Sequence, residues 1–251
     1  MNSVVTTNLD GEYVALSYLI SVVGSFLALT AARHVVRRDG SISGFHLLTA
    51  GAALGGIGVW SMHFVGMLAL RSDLTIGYSI TETLVSLLAA VGATSLAIYF
   101  VAKHTTTTRV VTAGAVLGLG VCVMHYLGLY GMRFGGYFQW SYGLVLLSIA
   151  IAIVAAIAAL WLAFHTNTWT LRIAAALLMG VAVCAMHYTG MSAADLICTT
   201  AYRGKLPRGF GVVSALQLPM LVTALALGIA AILAIHQFFQ RAEAPMRPAA
   251  S

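Results

Sequence analysis

Charged residues are scarce in this sequence, and so are cysteines. Of 251 residues, 13 are Lys or Arg and 7 are Asp or Glu, while 60% are hydrophobic. With a mean hydropathy of +0.94, this composition is typical of a membrane protein and excludes an ordinary soluble domain. The three cysteines, Cys122, Cys184 and Cys198, are too few and too scattered to form a disulfide framework.

Other absences exclude further classes of protein. The first dozen residues lack a basic segment and an A-x-A cleavage site, so we expect no removable signal peptide. The sequence has no basic patch interleaved with aromatic residues, so the net charge of +6 does not indicate a nucleic-acid partner. The last apolar segment, 213–239, contains no Lys, which excludes a retinal protein because no Schiff base can form.

Seven apolar segments are each long enough to cross a hydrocarbon layer of about 30 Å, which takes roughly 20 helical residues. Because lipid offers the backbone no hydrogen-bond partners, uninterrupted runs of this length predict helices. The sequence therefore predicts an all-α transmembrane fold, a seven-helix bundle. We place the helices at about 13–32, 45–70, 79–102, 109–132, 141–164, 172–194 and 213–239.

The basic residues of the loops predict the orientation in the membrane. One side carries eight of them: Arg33, Arg37, Arg38, Lys103, Arg109, Arg172, Arg241 and Arg247. The other side carries five: Arg71, Arg133, Arg203, Lys205 and Arg208. We therefore expect a multi-pass protein of the cell inner (plasma) membrane. The N-terminal segment 1–12 would lie outside, and the C-terminal tail 240–251 would be cytoplasmic.

One short pattern occurs three times at a fixed interval. Each copy reads Met-His-aromatic-x-Gly, and its histidine recurs every 62 residues, at His63, His125 and His187. A repeat that keeps its register to the residue is an internal triplication. Each copy contains two helices, so all copies have the same orientation. We predict three parallel two-helix repeats around a pseudo-threefold axis over residues 13–200, followed by a seventh helix at 213–239.

The residues around each histidine form a stripe of small and sulfur-containing side chains. Glycines lie seven residues before and three residues after each histidine, on its own helix face, where small residues usually serve packing. Cys122 and Cys184 are interpreted as small apolar fillers. Ionisable residues are rare in membrane helices and generally face an interior or a cavity. Three histidines at equivalent positions therefore predict a functional site near the axis.

A site of imidazole and thioether groups suits soft or borderline metals, copper above all. We predict His63, His125 and His187 as nitrogen ligands and no catalytic residues. The residues before and after each histidine are rotated about 100° round the helix, so further ligands would have to come from neighbouring helices. The other candidate ligands are Met62, Met67, Met124, Met132, Met186, Met191, Tyr126 and Tyr188.

With these motifs the chain resembles the MHYT domain family of bacterial integral-membrane proteins, over about residues 10–200. The resemblance implies a membrane sensor domain that binds copper through the Met, His and Tyr residues of its motifs. It also implies oxygen, carbon monoxide or nitric oxide as the signal, and a cytoplasmic signalling module that follows the domain in many members. The chain departs from the pattern at Phe64, where the motif has Tyr, and at Leu129, where the other copies have Met.

The chain ends about a dozen residues after the last predicted helix. We therefore expect a stand-alone member that is not an enzyme and that signals through a separate cytoplasmic protein, with membrane lipid as its other partner. The leading hypothesis is a metal-binding sensor or accessory protein. Two alternatives stay open: a copper transporter, and a haem-binding membrane redox protein that uses pairs of these histidines as axial ligands. No oligomeric state is predicted.

Overall fold

The computed structural model describes residues 3–166, 168–200, 202–204 and 211–243. The predicted cytoplasmic tail lies outside the described residues from 244 onwards. Lys205 and Arg208, which entered the orientation argument, also lie outside them.

Seven helices in the described part of the chain are long and apolar enough to span a membrane. Six spans are single α-helices: α1 (Gly11–Ala32), α4 (Ile80–Lys103), α5 (Thr107–Tyr130), α6 (Tyr142–His165), α7 (Trp169–Ser192) and α8 (Gln217–Glu243). The second span consists of α2 (Gly44–Gly51), a π-helical segment (Ala52–Ser61) and α3 (Met62–Leu68). The prediction of an all-α, seven-helix transmembrane protein is confirmed, with helix ends shifted by up to four residues.

The three helices that carry the motif begin at equivalent capping residues. Ser43, Thr106 and Thr168 each precede the first helical residue, and each side-chain oxygen accepts a hydrogen bond from the backbone N–H three residues later. Ser and Thr are preferred here because they satisfy a backbone donor that the helix leaves unpaired. Thr106 and Thr168 are 62 residues apart, so this N-terminal capping residue is part of the repeat.

The second span departs from the uninterrupted helix that the sequence predicts. Its residues 52–61 form π turns, whereas the equivalent stretches of α5 and α7 are regular α-helix. The hydroxyl of Ser61 donates to the carbonyl of Gly56, five residues back, at 2.9 Å. The segment lies where α1 approaches very closely, since a Cβ on Gly24 would be 2.3 Å from the backbone nitrogen of Gly58. The π turns of the second span thus coincide with its close packing against α1.

The six helices of the three repeats form a closed ring. Each span packs against its neighbour in the chain, and α7 returns to pack against α1. The seventh helix, α8, lies outside this ring, mainly against α1 and the second span. The predicted 120° rotation between repeats stays a prediction.

In the described part of the chain, eight short strands follow or precede the helices at the end of the bundle that carries the motifs, and we call them the cap. They are β1 (Ser3–Val4), β2 (Asn8–Leu9), β3 (Leu70–Arg71), β4 (Gly77–Ser79), β5 (Met132–Arg133), β6 (Gly136–Trp140), β7 (Ala194–Cys198) and β8 (Val212–Ser214). In each repeat, the strand before the first helix pairs antiparallel with the strand after the second: β2 with β3, β4 with β5, and β6 with β7. In addition, β1 joins β7 and β8 joins β4.

Ion pairs tie two of these strand pairs to a helix start. Arg71 of β3 donates to Asp10, which caps α1, at 2.8 Å. Arg133 of β5 pairs with Glu82 in the first turn of α4. The third repeat differs. At the position equivalent to Arg133, 62 residues later, it has an exposed acidic residue, Asp195 of β7. The described basic residues of the smaller predicted group therefore lie at the cap end, while the orientation of that end in the membrane stays a prediction.

Candidate metal centre

Each motif helix presents its histidine at the same place, five residues before the last helical residue. His63 lies in α3, His125 in α5 and His187 in α7, and their side chains are only 0–1% exposed. A polar side chain this deep in a membrane protein needs a partner, because the apolar surroundings supply none. The structure brings the three histidines together.

The three imidazoles meet through their Nδ1 atoms. The Nδ1 of His63 lies 3.1 Å from that of His187 and 3.1 Å from that of His125, and the third side, between His125 and His187, is 3.3 Å. We call this arrangement the Nδ1 triangle. The ring planes stand at 75–89° to one another. In the described part of the chain, this is the one group of three or more His, Cys, Asp or Glu side chains with metal-ligand spacing.

Hydrogen bonds among the imidazoles cannot satisfy all three sides of the Nδ1 triangle. A ring nitrogen of neutral histidine either carries a proton and donates, or has a lone pair and accepts. Among three such atoms at least two are of the same kind, so at least one side joins two donors or two acceptors. A cation at the centre removes this conflict, because three lone pairs can point to it at once.

The size of the Nδ1 triangle also suits an ion. The point equidistant from the three nitrogens lies about 1.8 Å from each (the mean side divided by √3), close to the roughly 2.0–2.1 Å of zinc–imidazole bonds. A small outward movement of each ring reaches the normal bond length. The residues present therefore fit a metal ion bound by three neutral imidazoles.

The opposite ring nitrogen of each histidine, Nε2, faces a motif glycine of the next repeat. A Cβ on the glycine would lie only 2.3–2.5 Å from Nε2 in each of three pairs: Gly128 with His63, Gly190 with His125, and Gly66 with His187. The contacts run in a cycle from repeat to repeat. The packing role predicted for these glycines thus has a definite form: each leaves the space that an imidazole fills.

The tyrosines that follow two of the histidines bond to serines. The hydroxyl of Tyr126 lies 2.6 Å from Ser148 Oγ, and that of Tyr188 lies 2.9 Å from Ser17 Oγ. In both cases the serine is in the first helix of the next repeat. Metal ligation by these phenols would require the hydrogen bonds to break, and their role as ligands stays a prediction.

In the first repeat, a different side chain makes the hydrogen bond to the serine. Phe64 has no hydroxyl, but Trp60 Nε1 donates to Ser86 Oγ at 3.0 Å and to the carbonyl of Thr83 at 3.1 Å. Ser86 stands 62 residues before Ser148, so it is the equivalent serine of the next repeat. The sequence analysis missed these serines, although the 62-residue spacing of Ser86 and Ser148 was a usable signal.

The candidate methionines are all buried in hydrophobic clusters: Met62, Met67, Met124, Met132, Met186 and Met191. Met132 lies in β5, beyond the end of α5, while the others lie on the motif helices. Cys122 packs with Ala152 and Met186, which agrees with its interpretation as a filler. Sulfur ligation stays a prediction.

A cavity of about 40 Å³ lies about one helical turn from the histidines, on the side away from the cap. Three of its lining residues each stand four positions before a histidine: Val59, Val121 and Val183. Leu54, Leu117 and Met179 form a further layer.

The comparison with protein families agrees with the repeat. The MHYT model, described as the bacterial signalling protein N-terminal repeat, matches residues 56–114 and 118–176. The two matches begin 62 residues apart, at glycines that stand seven residues before a histidine. No solved structure is detectably similar to the chain.

Several curated bacterial signalling proteins are related to the chain. It is 37% identical over 224 residues to the bifunctional diguanylate cyclase/cyclic di-GMP phosphodiesterase MucR of Pseudomonas aeruginosa. This match covers 85% of this chain and 32% of MucR. The signalling protein YkoW of Bacillus subtilis is 32% identical over 189 residues, 72% of this chain and 23% of YkoW. The cyclic di-GMP phosphodiesterase NbdA of P. aeruginosa is 34% identical over 188 residues, 72% of this chain and 24% of NbdA.

The chain thus spans between 23% and 32% of the length of these relatives. Its matched residues include all of the first two motifs. The seven spans, the triplicated motif and these relatives together show that the chain is a multi-pass membrane protein that belongs to the MHYT family of bacterial signalling proteins.

Proposed function

We propose that the chain is a membrane-embedded sensor domain, not an enzyme, that holds a metal ion, copper first, at the Nδ1 triangle. The triangle itself carries the proposal: three buried imidazoles, one from each repeat, place their Nδ1 atoms 3.1–3.3 Å apart. Proton sharing cannot satisfy all three sides, whereas a central cation can. His63, His125 and His187 would hold the ion as neutral imidazoles, the form that binds metals.

Copper is favoured by the chemistry of the donors. Divalent copper stands highest in the general order of affinities for nitrogen ligands, and thioethers select Cu(I). Buried methionines precede all three histidines. The bound ion would supply a coordination position for a small ligand. Zinc also accepts three imidazoles, so metal analysis must distinguish the two.

Two features support a sensor over the alternatives. The cavity beside the triangle is lined by apolar side chains, and a hydrophobic constriction opposes the passage of an ion, which disfavours a copper transporter. Three Nδ1 atoms within 3.3 Å of one another favour a single bare ion, because the axial ligands of a haem lie on opposite faces of the porphyrin.

A diatomic gas, either oxygen, carbon monoxide or nitric oxide, is the proposed stimulus, and a cytoplasmic signalling protein is the proposed recipient. Two relatives carry names that refer to cyclic di-GMP enzymes, and this chain matches only a part of each. That relation supports a role as the sensory domain rather than as the enzymatic domain. In the predicted orientation, α8 would lead towards the cytoplasm.

The test is the metal content of detergent-purified protein, measured with its optical spectrum. We expect one copper per chain, lost from the variants His63→Ala, His125→Ala and His187→Ala, each checked for native helix content and monodispersity. His104→Ala, an exposed histidine at the other end of the bundle, is the control and should keep its copper. Unchanged copper in all three motif variants would refute the proposal. A Soret band would favour the haem alternative, and zinc without copper would correct the metal.

A further inference from the structure

The cavity beside the Nδ1 triangle is chemically unlike a site for an ion. Its lining consists of Val, Leu, Met and Ala side chains and a single hydroxyl, that of Thr94. This hydroxyl donates to the carbonyl of Ala90 at 2.7 Å and so has its partner within its own helix. A water molecule in a cavity needs two to four polar partners. The cavity therefore favours an apolar occupant over water.

The size of the cavity limits the occupant to a few atoms. Its volume of about 40 Å³ exceeds the roughly 10–15 Å³ that one water requires, but it is far below the ~150 Å³ of an engineered apolar cavity that binds benzene or xenon. A diatomic molecule or a noble-gas atom fits this range. An aromatic or drug-sized ligand does not.

The position of the cavity connects it with the histidines. Val59, Val121 and Val183 stand one helical turn before the three histidines, a rise of about 6 Å along an α-helix. All three repeats thus contribute a valine to the lining and a histidine to the Nδ1 triangle. An occupant of the cavity would therefore lie about one helical turn from the triangle.

We propose that this cavity is a binding site for one small apolar molecule, of the size of a diatomic gas, which it holds next to the Nδ1 triangle. The inference rests on the proposed function, because such a molecule is the ligand that a metal at the triangle would sense. The cavity holds the molecule among apolar side chains, while the histidines hold the ion.

Xenon is the probe for the first experiment, because it is apolar and needs no metal. Metal-free protein in detergent is exposed to xenon under pressure, and binding is followed by 129Xe NMR. The wild type should bind xenon, and Val121→Phe, which fills the cavity, should not. The matched control is Val123→Phe, the same change two residues along α5, where the side chain is 57% exposed; it should bind xenon like the wild type. Val121→Ala, a variant that cannot overpack, should bind xenon more tightly.

The second experiment uses carbon monoxide on the Cu(I)-loaded protein, read by infrared spectroscopy. Val121→Phe should keep the copper of the wild type and weaken carbon monoxide binding at least about tenfold, which corresponds to 1.4 kcal/mol. Absent xenon binding in the wild type, or equal xenon binding in Val121→Phe, would overturn the cavity site even if copper is present. Xenon binding that depends on Val121, in a protein that also binds no metal ion on purification or on reconstitution, would keep the cavity site and refute the metal proposal.

Discussion

The first repeat and the other two form an equivalent hydrogen bond to a serine of the next repeat, but with different side chains. In the second and third, a cysteine stands three residues before the histidine and a tyrosine after it, and the tyrosine bonds to a serine of the next repeat. In the first, Trp60 and Phe64 stand at these positions, and the indole bonds to the serine instead. The three repeats therefore share a hydrogen bond to a buried serine rather than a particular residue.

The backbone differs at the same place. Residues 52–61 of the first repeat are π-helical, and α8 packs against this span, while α5 and α7 remain α-helical. Yet His63 completes an Nδ1 triangle whose sides differ by only 0.2 Å, from 3.1 to 3.3 Å. The outer contacts of the repeats have diverged, whereas the contacts of the histidines have not.

The largest effect should come from the feature that all three repeats share, the glycine that faces an imidazole. Gly128→Ala places a Cβ 2.3 Å from Nε2 of His63, so the ring must move out of the triangle. We expect a loss of copper binding and a destabilisation of about 1–3 kcal/mol, as for overpacked cores. Copper analysis and thermal unfolding measure both effects.

Gly92→Ala is the control, because a Cβ there meets nothing within 4 Å, and Ala has the better helix propensity. Gly66→Ala and Gly190→Ala should behave like Gly128→Ala. A variant of this set that binds copper normally would show that the cycle of glycine–imidazole contacts is not equivalent in the three repeats.

An intermediate effect should come from the feature that distinguishes the first repeat. Trp60→Cys removes the indole and its hydrogen bonds to Ser86 and Thr83. It also creates a cavity, so we expect a loss of about 3–5 kcal/mol. Phe64→Tyr introduces the missing hydroxyl. In the double variant Trp60→Cys/Phe64→Tyr, the new hydroxyl can reach Ser86, and part of the stability should return.

The comparison of the double variant with the two single variants measures this coupling. Thermal unfolding in detergent should give a double variant that is more stable than the sum of the single effects predicts. Strict additivity would mean that the tryptophan and the tyrosine are not alternative partners of the same serine.

The repeat made much of the site predictable from the sequence. Composition and run length gave the seven spans, because lipid permits only helices there. The 62-residue register placed the three histidines at equivalent positions, and the structure brings them together. The register does not say which ring nitrogen points inward, because that depends on the side-chain rotamers and on the neighbouring glycine. The cavity could not be predicted, since it arises from the fit of several helices.

Other features escaped the sequence analysis for local reasons. The cap strands have only two to five residues each, too few to show an alternating pattern. The π segment has the same apolar composition as an α-helix, and it lies where Gly24 approaches Gly58, two residues far apart in the sequence. The replacement of Tyr by Trp as the partner of Ser86 involves two positions, 60 and 64, and the sequence analysis considered only Phe64.

The smallest effect should come from the cap, where the first and third repeats differ in charge. The hydrogen bond from Arg71 and then that from the backbone of Glu12 lower the pKa of Asp10. The folded pKa is thus below the unfolded value of about 3.9. The carboxylate therefore stabilises the fold above that pH, and its contribution is lost as the pH falls through the folded pKa.

Asp10→Asn tests this contribution, because Asn is an equally good N-cap through its one side-chain oxygen, while the charge and the second oxygen, which accepts from Arg71, are lost. At pH 7 the wild type should unfold at a slightly higher temperature than Asp10→Asn. The difference should shrink as the pH falls below the unperturbed carboxyl pKa of about 3.9 and vanish below the lower folded pKa. The effect should be small, because exposed ion pairs contribute little and are screened by salt. Asp195→Asn, in the cap of the third repeat, is the control for loss of a carboxylate. A difference that persists unchanged at low pH would show that Asp10 acts through its capping geometry. The ion pair between Arg71 and Asp10, which the third repeat lacks, would then contribute no measurable stability.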